Sequence, residues 1–341
     1  MARPSVVSVM NDEMYDVVFG DAAEQKLLSF AAFRRYQGVA NACEEQLIEL
    51  LRDADAAMTS WGVTLTDEVI RQTNLKVIGH AAGSVKHFPA SVWERGIAVT
   101  HAAPVIAVAV GEMALALTLA CLRNFAAHDA AFKQQGLAGD SSLQPELLAN
   151  RSLHGLRVGI VGASATGREF LRLLVAFGDV EVWVADPYVS EEQARALRAR
   201  LVPLDTLLSQ CDVVSLHCPL LTETRHLINA NTVRLLKDGA VLINTARGGL
   251  IDHEALLPEL ESGRIAAGLD VYLETLRGDV GAIAASRYRG LRNVIITPGV
   301  SGPAGTVTKR MGLFIAQEFE RFFCGQPLAK PVTADMLGHM A

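Results

Sequence analysis

Residues 158–167 read Val-Gly-Ile-Val-Gly-Ala-Ser-Ala-Thr-Gly, between an apolar run and an amphipathic segment. A glycine-spaced turn from a buried strand into a helix suits a dinucleotide, because free N–H groups and the helix dipole face its pyrophosphate. Gly162 permits the tight turn, and Gly167 permits close packing of helix on strand. The middle glycine of the pattern is replaced by Ser164, followed by Ala165 and Thr166. The serine either crowds the backbone's approach to phosphate or donates its hydroxyl to it. Asp186 ends the next apolar run and precedes Pro187. A carboxylate there accepts bonds from the adenosine ribose and repels a 2′-phosphate, so NAD is expected over NADP. No lysine or arginine immediately follows Asp186 to reverse that preference.

The elements that must hold these residues alternate along the chain. Apolar runs and amphipathic segments succeed one another nearly throughout, which indicates a parallel α/β protein. A first buried strand is expected within Ser5–Met10, then strands at Ala56–Thr59, Val77–His80 and Ala98–Thr100. A polar stretch, Gln134–Ser152, reads as a linker. A second α/β unit follows, with strands at Arg157–Val161, Glu181–Ala185, Val213–His217, Ala240–Asn244, Ala267–Asp270 and Val294–Thr297. Ser190 with Gln193 predicts a capping box, and Asp252 predicts a helix cap. Residues 305–324 form a last amphipathic helix.

The 341 residues suggest about two domains. Half the residues are apolar, so a sizeable core is expected. A net charge of −6 without a basic stripe argues against nucleic acid as partner. Five cysteines without CxxC spacing fit reduced thiols, with no metal site, and the absence of a leader pattern makes a cytoplasmic location the expectation. Residues 102–122 are apolar over about the length of a membrane span. Pro104, Gly111 and Glu112 interrupt them, so a helix buried between domains or subunits is expected instead.

Four further stretches carry a resemblance. Cys211–Leu227 reads CDVVSLHCPLLTETRHL, Asp238–Leu256 reads DGAVLINTARGGLIDHEAL, Ser262–Asp270 reads SGRIAAGLD, and Asn293–Gly302 reads NVIITPGVSG. Together they resemble the D-2-hydroxyacid dehydrogenases, the D-isomer-specific family that includes phosphoglycerate dehydrogenase. The resemblance implies two Rossmann-like or flavodoxin-like α/β domains with parallel sheets and a cleft between them. It implies a discontinuous substrate domain, 1–107 plus 302–341, and a dinucleotide-binding domain over 108–301. A helix near 109–123 would join the domains and contribute to a homodimer. By the same resemblance, His217, Pro219, Thr245 and Ala246 line the cofactor NAD. Arg247 binds and polarises a substrate carboxylate and carbonyl, a task that suits its planar fork. Asp270 lies near the nicotinamide, and the backbone at Gly83 and Ser84 holds the carboxylate.

The chain departs from the family where proton transfer is concerned. Gly299 stands where the resemblance implies a histidine, and Thr275, followed by Leu276, stands where it implies a glutamate before proline. Glu274 comes one residue early, in a segment longer than the family's. Lys86 and His87 replace an Asp-Asn pair. The candidate replacement donors are His80, Lys86 and Tyr272, in that order, with His101 at another strand end. Arg277, Arg287, Arg289 and Arg292, around Tyr288, suggest a small anionic substrate with a second acidic group. The expectation is an NAD-dependent oxidoreductase acting on a 2-hydroxy or 2-keto carboxylate with a non-standard proton donor. The alternatives are an NAD-binding regulator without redox chemistry, or a lyase or dehydratase built around Arg247.

Overall fold

The computed structural model describes residues 3–135, 150–272, 287–302 and 305–340. Most of the expected linker, and Glu274, Thr275, Leu276 and Arg277, lie outside the described residues. The chain divides into two compact units, Met1–Ala107 with Pro303–Ala341, and Val108–Gly302.

The first unit is built on β1 (Ser5–Ser8), β2 (Ala32–Arg35), β3 (Ala56–Thr59), β4 (Val77–His80) and β5 (Ala98–His101). They form one sheet in the order β2-β1-β3-β4-β5, every pair parallel. Such strands are covered on both faces, so β3 and β4 are buried at every residue. The helix Gly305–Phe323 returns to this sheet, and a Cβ on Gly79 of β4 would fall 2.2 Å from its Ile315 side chain. Its buried Glu318 accepts the N–H groups of Ala329 and Lys330, so the carboxylate is satisfied.

The second unit holds β6 (Arg157–Val161), β7 (Glu181–Ala185), β8 (Arg200–Leu201), β9 (Val213–Leu216), β10 (Val241–Asn244), β11 (Ala266–Leu269) and β12 (Val294–Ile296). Their order is β12-β11-β10-β9-β6-β7-β8, again all parallel. The order reverses beside β6, which places a ligand crevice at the carboxyl ends of β6 and β9. The Ser190–Gln193 capping box forms, and Asp252 caps its helix by accepting Glu254 N–H. The edge strands β2 and β8 are additions to the sequence reading. The first is mostly exposed and the second has two residues, so neither shows an apolar run.

The apolar stretch forms the helix Ala103–Leu122, with Pro104 in its first turn where no intrahelical N–H is lost. It is long and apolar enough to cross a membrane, and 50% of its apolar window is buried inside the protein.

Candidate active site

The phosphate loop between β6 and the helix Ala165–Val175 is fixed by steric and polar contacts. Gly162 has φ +90°, and a Cβ there would lie 2.7 Å from Cys218 N. A Cβ on Gly167 would lie 2.3 Å from the Gly162 carbonyl. Ser164 has work inside the protein. Its hydroxyl caps the helix, accepting Gly167 N–H at 3.4 Å, and donates to the His217 carbonyl at 2.8 Å. Donating to a phosphate would require the single hydroxyl proton to leave the His217 carbonyl. Thr166 Oγ1 stands 3.2 Å from His217 Nδ1, and Ser215 Oγ stands 2.8 Å from its Nε2. Burial pushes the His217 pKa down to about 3, so the ring is neutral and acts as a support beneath the loop.

Asp186 ends β7 and turns its carboxylate onto two backbone donors. It accepts Ala163 N–H and Tyr188 N–H, each at 2.8 Å. An ionised carboxylate has about four acceptor positions, so ribose hydroxyls still find lone pairs there. Pro187 follows, exposed. Arg168 was not singled out from the sequence. Its Nε donates to the Ala163 carbonyl at 2.8 Å, which brings a cation to the loop. A basic residue directly after Gly167 was the available signal. Pro219 follows the end of β9, its carbonyl accepting Thr224 Oγ1 at 2.6 Å. Thr245 is buried, and its Oγ1 has no hydrogen-bond partner among the described residues.

At the end of β10, the Asn244 side chain accepts Ala246 N–H at 3.0 Å and donates to the Arg247 carbonyl at 2.8 Å. That clasp sets the backbone from which Arg247 projects. The guanidinium is largely buried, and its Nη1 donates to the Ala246 carbonyl at 2.8 Å. No carboxylate pairs with it among the described residues, and burial lowers its pKa from the usual range. A guanidinium stays charged in proteins, so this is a half-buried cation with no anion among the described residues.

Asp270 is 2% exposed and committed to the loop after β12. Its carboxylate accepts Val300 N–H and Ser301 N–H, each at 3.0 Å, and the hydroxyls of Thr297 and Ser301. Its carbonyl accepts Gly299 N–H at 2.7 Å. Four donors occupy its acceptor positions, so a contact with nicotinamide requires one of them to leave. Gly299 itself has φ +70°, the left-handed region. The residue at the expected histidine position thus lies in a backbone region that favours glycine.

The carboxyl ends of β3, β4 and β5 bring together the remaining candidates. His80 is 1% exposed, its Nδ1 2.9 Å from Thr59 Oγ1, its ring edge-on to His87 and Phe88. Burial, then the nearby His87 and His101, push its pKa down to about 3. With that pKa the ring is neutral at neutral pH, keeping a single N–H, and at 1% exposure it offers little surface to a substrate. His101 Nδ1 donates to the Gly83 carbonyl at 2.7 Å, and burial lowers its pKa. The N–H groups of Gly83 and Ser84 have no hydrogen-bond acceptor among the described residues. Lys86 is exposed, without an ion pair among the described residues. In the second unit, Tyr272 packs edge-on to His253 and Tyr288, and His253 Nδ1 lies 2.8 Å from the Tyr288 hydroxyl. Arg287 is paired with Glu261, which weakens the case for a second substrate anion at that cluster.

Two depressed histidines make a pH prediction. His80 and His217 are neutral when folded and take up a proton near pH 6.5 when unfolded. Their stabilising effect is full above about pH 6.5 and is lost as pH falls towards about 3. The unfolding midpoint should therefore begin to fall below about pH 6.5, before most carboxylates titrate. In melting curves between about pH 7 and 5, His217→Gln should flatten that fall. An unchanged slope would count against a neutral His217.

The family model for the D-isomer specific 2-hydroxyacid dehydrogenase NAD binding domain matches residues 115–301. The chain belongs to the D-isomer-specific 2-hydroxyacid dehydrogenases. Its second unit carries the family's NAD-binding domain. The chain is 31% identical over 287 residues to a D-3-phosphoglycerate dehydrogenase of Methanocaldococcus jannaschii, covering 83% of this chain and 52% of that protein. It thus spans about half the length of that relative. It is 30% identical to a hydroxypyruvate reductase of Thermotoga maritima, covering 81% of this chain and 87% of that one. The D-lactate dehydrogenase structure from Treponema pallidum superposes with a TM-score of 0.74 at 27% identity, covering 97% of this chain and 99% of that chain. NAD fits the residues present in this dehydrogenase fold. Asp186 retains lone pairs for ribose, and the unpartnered Thr245 hydroxyl lies after β10, ready for a polar ligand atom.

Proposed function

We propose that the chain is an NAD-dependent oxidoreductase acting on a small 2-hydroxy or 2-keto carboxylate, with its proton donor away from position 299. Arg247 carries this reading, as a half-buried guanidinium at a strand's carboxyl end with no carboxylate partner among the described residues. A substrate carboxylate would supply the missing anion, and the fork geometry favours two parallel bonds. The N–H groups of Gly83 and Ser84, with no acceptor among the described residues, would offer a further anion contact in the first unit. Bound NADH supplies the hydride. Lys86 becomes the first candidate donor once His80 is set aside, being exposed and beside Ser84. A panel of 2-keto acids with NADH, run on wild type and Arg247→Met, tests the reading.

A second reading, an NAD-binding protein without redox turnover, is favoured by the burial of His80 and by a glycine in the left-handed region at position 299. The variant Gly299→His bears on both. A side chain at φ +70° costs about 1–2 kcal/mol, so the melting point should fall and turnover should not rise. Strong turnover from that single change would mean that only a side chain is missing.

The partner proposed is a second copy of the chain. Phe125 and Phe132 lie one heptad apart on the helix Phe125–Gln135 and are 68% and 57% exposed. Light scattering should give a dimer mass, and Phe125→Lys with Phe132→Lys should shift it to monomer.

A further inference from the structure

His101 ends β5, half-buried, and its side chain is bonded to the loop that follows β4. A carbonyl oxygen only accepts, so the 2.7 Å contact with the Gly83 carbonyl makes Nδ1 the protonated ring nitrogen. The next residue makes a second tie to the same loop. Ala102 N–H donates to the Ala82 carbonyl at 3.1 Å and to the His80 carbonyl at 2.9 Å. Two successive loop carbonyls, of Ala82 and Gly83, are thus held by two successive residues at the end of β5. The peptide bonds are trans, and a trans peptide points its C=O and its N–H in opposite directions. The Ala82–Gly83 and Gly83–Ser84 peptides therefore both turn their N–H groups away from β5. Those N–H groups belong to Gly83 and Ser84, and neither has an acceptor among the described residues.

The anchor is itself firm. β5 pairs with β4, which sets His101 in register with His80. β5 is the edge strand of its sheet, and the last segment of the chain ties down its open side. Val332 N–H donates to the Val99 carbonyl at 2.8 Å, and Thr100 Oγ1 donates to the Lys330 carbonyl at 2.9 Å. Space remains beside the loop, since the nearest atom to a Cβ built on Gly83 is Ile106 Cδ1 at 3.9 Å. A hydrogen bond received by the Gly83 carbonyl also polarises that peptide, which strengthens the Ser84 N–H as a donor. The neutral ring spends its one proton on this bond and has no second proton to give.

We propose that His101 is a positioning residue: it holds and polarises the Gly83–Ser84 peptide so that a substrate carboxylate meets two N–H groups turned to the same side. The inference rests on the carboxylate reading above and adds the side chain on which that backbone contact depends. In this role His101 touches neither the substrate nor the cofactor. It acts through one bond, and only a donor at the place of Nδ1 can make it.

The test uses the NADH-loaded full chain and oxamate, a carboxylate joined to an amide carbonyl that resists hydride. Binding is then read whether or not the chain turns over. Calorimetric Kd for oxamate is measured in wild type, His101→Leu, His101→Asn and Arg247→Met. Leucine keeps apolar bulk and removes the donor, whereas asparagine puts an amide N–H where Nδ1 stood. His101→Phe replaces the leucine variant should that one fail to fold. His101→Leu should weaken oxamate about tenfold or more, the scale of a misdirected hydrogen bond to a charged group. His101→Asn should bring Kd back to within about threefold of wild type, and NADH affinity should be unchanged in both. Unchanged oxamate affinity in His101→Leu, with binding lost in Arg247→Met, would overturn the proposal and leave the carboxylate reading standing. Equal losses in His101→Leu and His101→Asn would also overturn it, because the ring would then act by packing alone. If wild type does not bind oxamate, the carboxylate reading falls and this proposal with it.

Discussion

Replacing Arg247 by Met should abolish turnover while leaving the chain folded and NADH bound. The change keeps most of the side chain's length and removes its charge and its fork. Losing a preorganised charge-stabilising donor costs on the order of 10²–10³ in rate, and here the same group is proposed to hold the substrate as well. The loss in kcat/KM should therefore meet or exceed that range. The backbone at this point does not depend on the guanidinium, because Asn244 pins the turn from both sides. A cation held half-buried, with no carboxylate partner among the described residues, lowers stability, so the melting point of Arg247→Met should equal or exceed that of wild type. Gain in stability with loss of activity is the pattern of a functional charge. Retained activity would show that substrate binds elsewhere.

Replacing Gly162 by Ala should act on the other half of the site. The added Cβ meets backbone atoms, Cys218 N at 2.7 Å and its Cα at 2.8 Å, which do not yield as a flexible side chain does. The conformation at φ +90° adds its own strain. Left-handed backbone and overpacking together cost roughly 2–5 kcal/mol. If the loop shifts to relieve the clash, Ala163 moves away from Asp186 and Ser164 moves from His217. NADH affinity, measured by fluorescence, should then fall about tenfold or more, together with the melting point. Unchanged affinity would mean that the phosphate loop is not where the cofactor binds.

The fold was legible from one-dimensional signals. Buried parallel strands show as apolar runs, and the Ser190–Gln193 cap is written within four residues. Edge strands were not, because β2 exposes Arg34 and Arg35 and buries little. The site was legible in its residues and much less so in their partners. Gly162, Asp186 and Arg247 stand where their spacing placed them, at the ends of β6, β7 and β10. The work of Ser164 was hidden because its partner, His217, is 53 residues away. Asp270 likewise meets Ser301 across 31 residues, and nothing in either segment alone announces the bond. His80 lay at a strand end, which suggested access. Whether a strand-end side chain turns outward or into the core is decided by neighbours such as Phe88 and His87, and sequence periodicity does not record them.

The departure at position 299 is also clearer in three dimensions. Gly299 is part of a turn in which three N–H groups and two hydroxyls close on Asp270. The loop and the aspartate are fitted to each other through these bonds.

The most direct measurement is the loss of NADH absorbance when the purified chain meets a panel of 2-keto acids under single-turnover conditions. Consumption of NADH by at least one acid, absent in Arg247→Met, is the expected result. NADH that stays bound and unoxidised with every acid would contradict it and leave an NAD-binding protein without dehydrogenase activity.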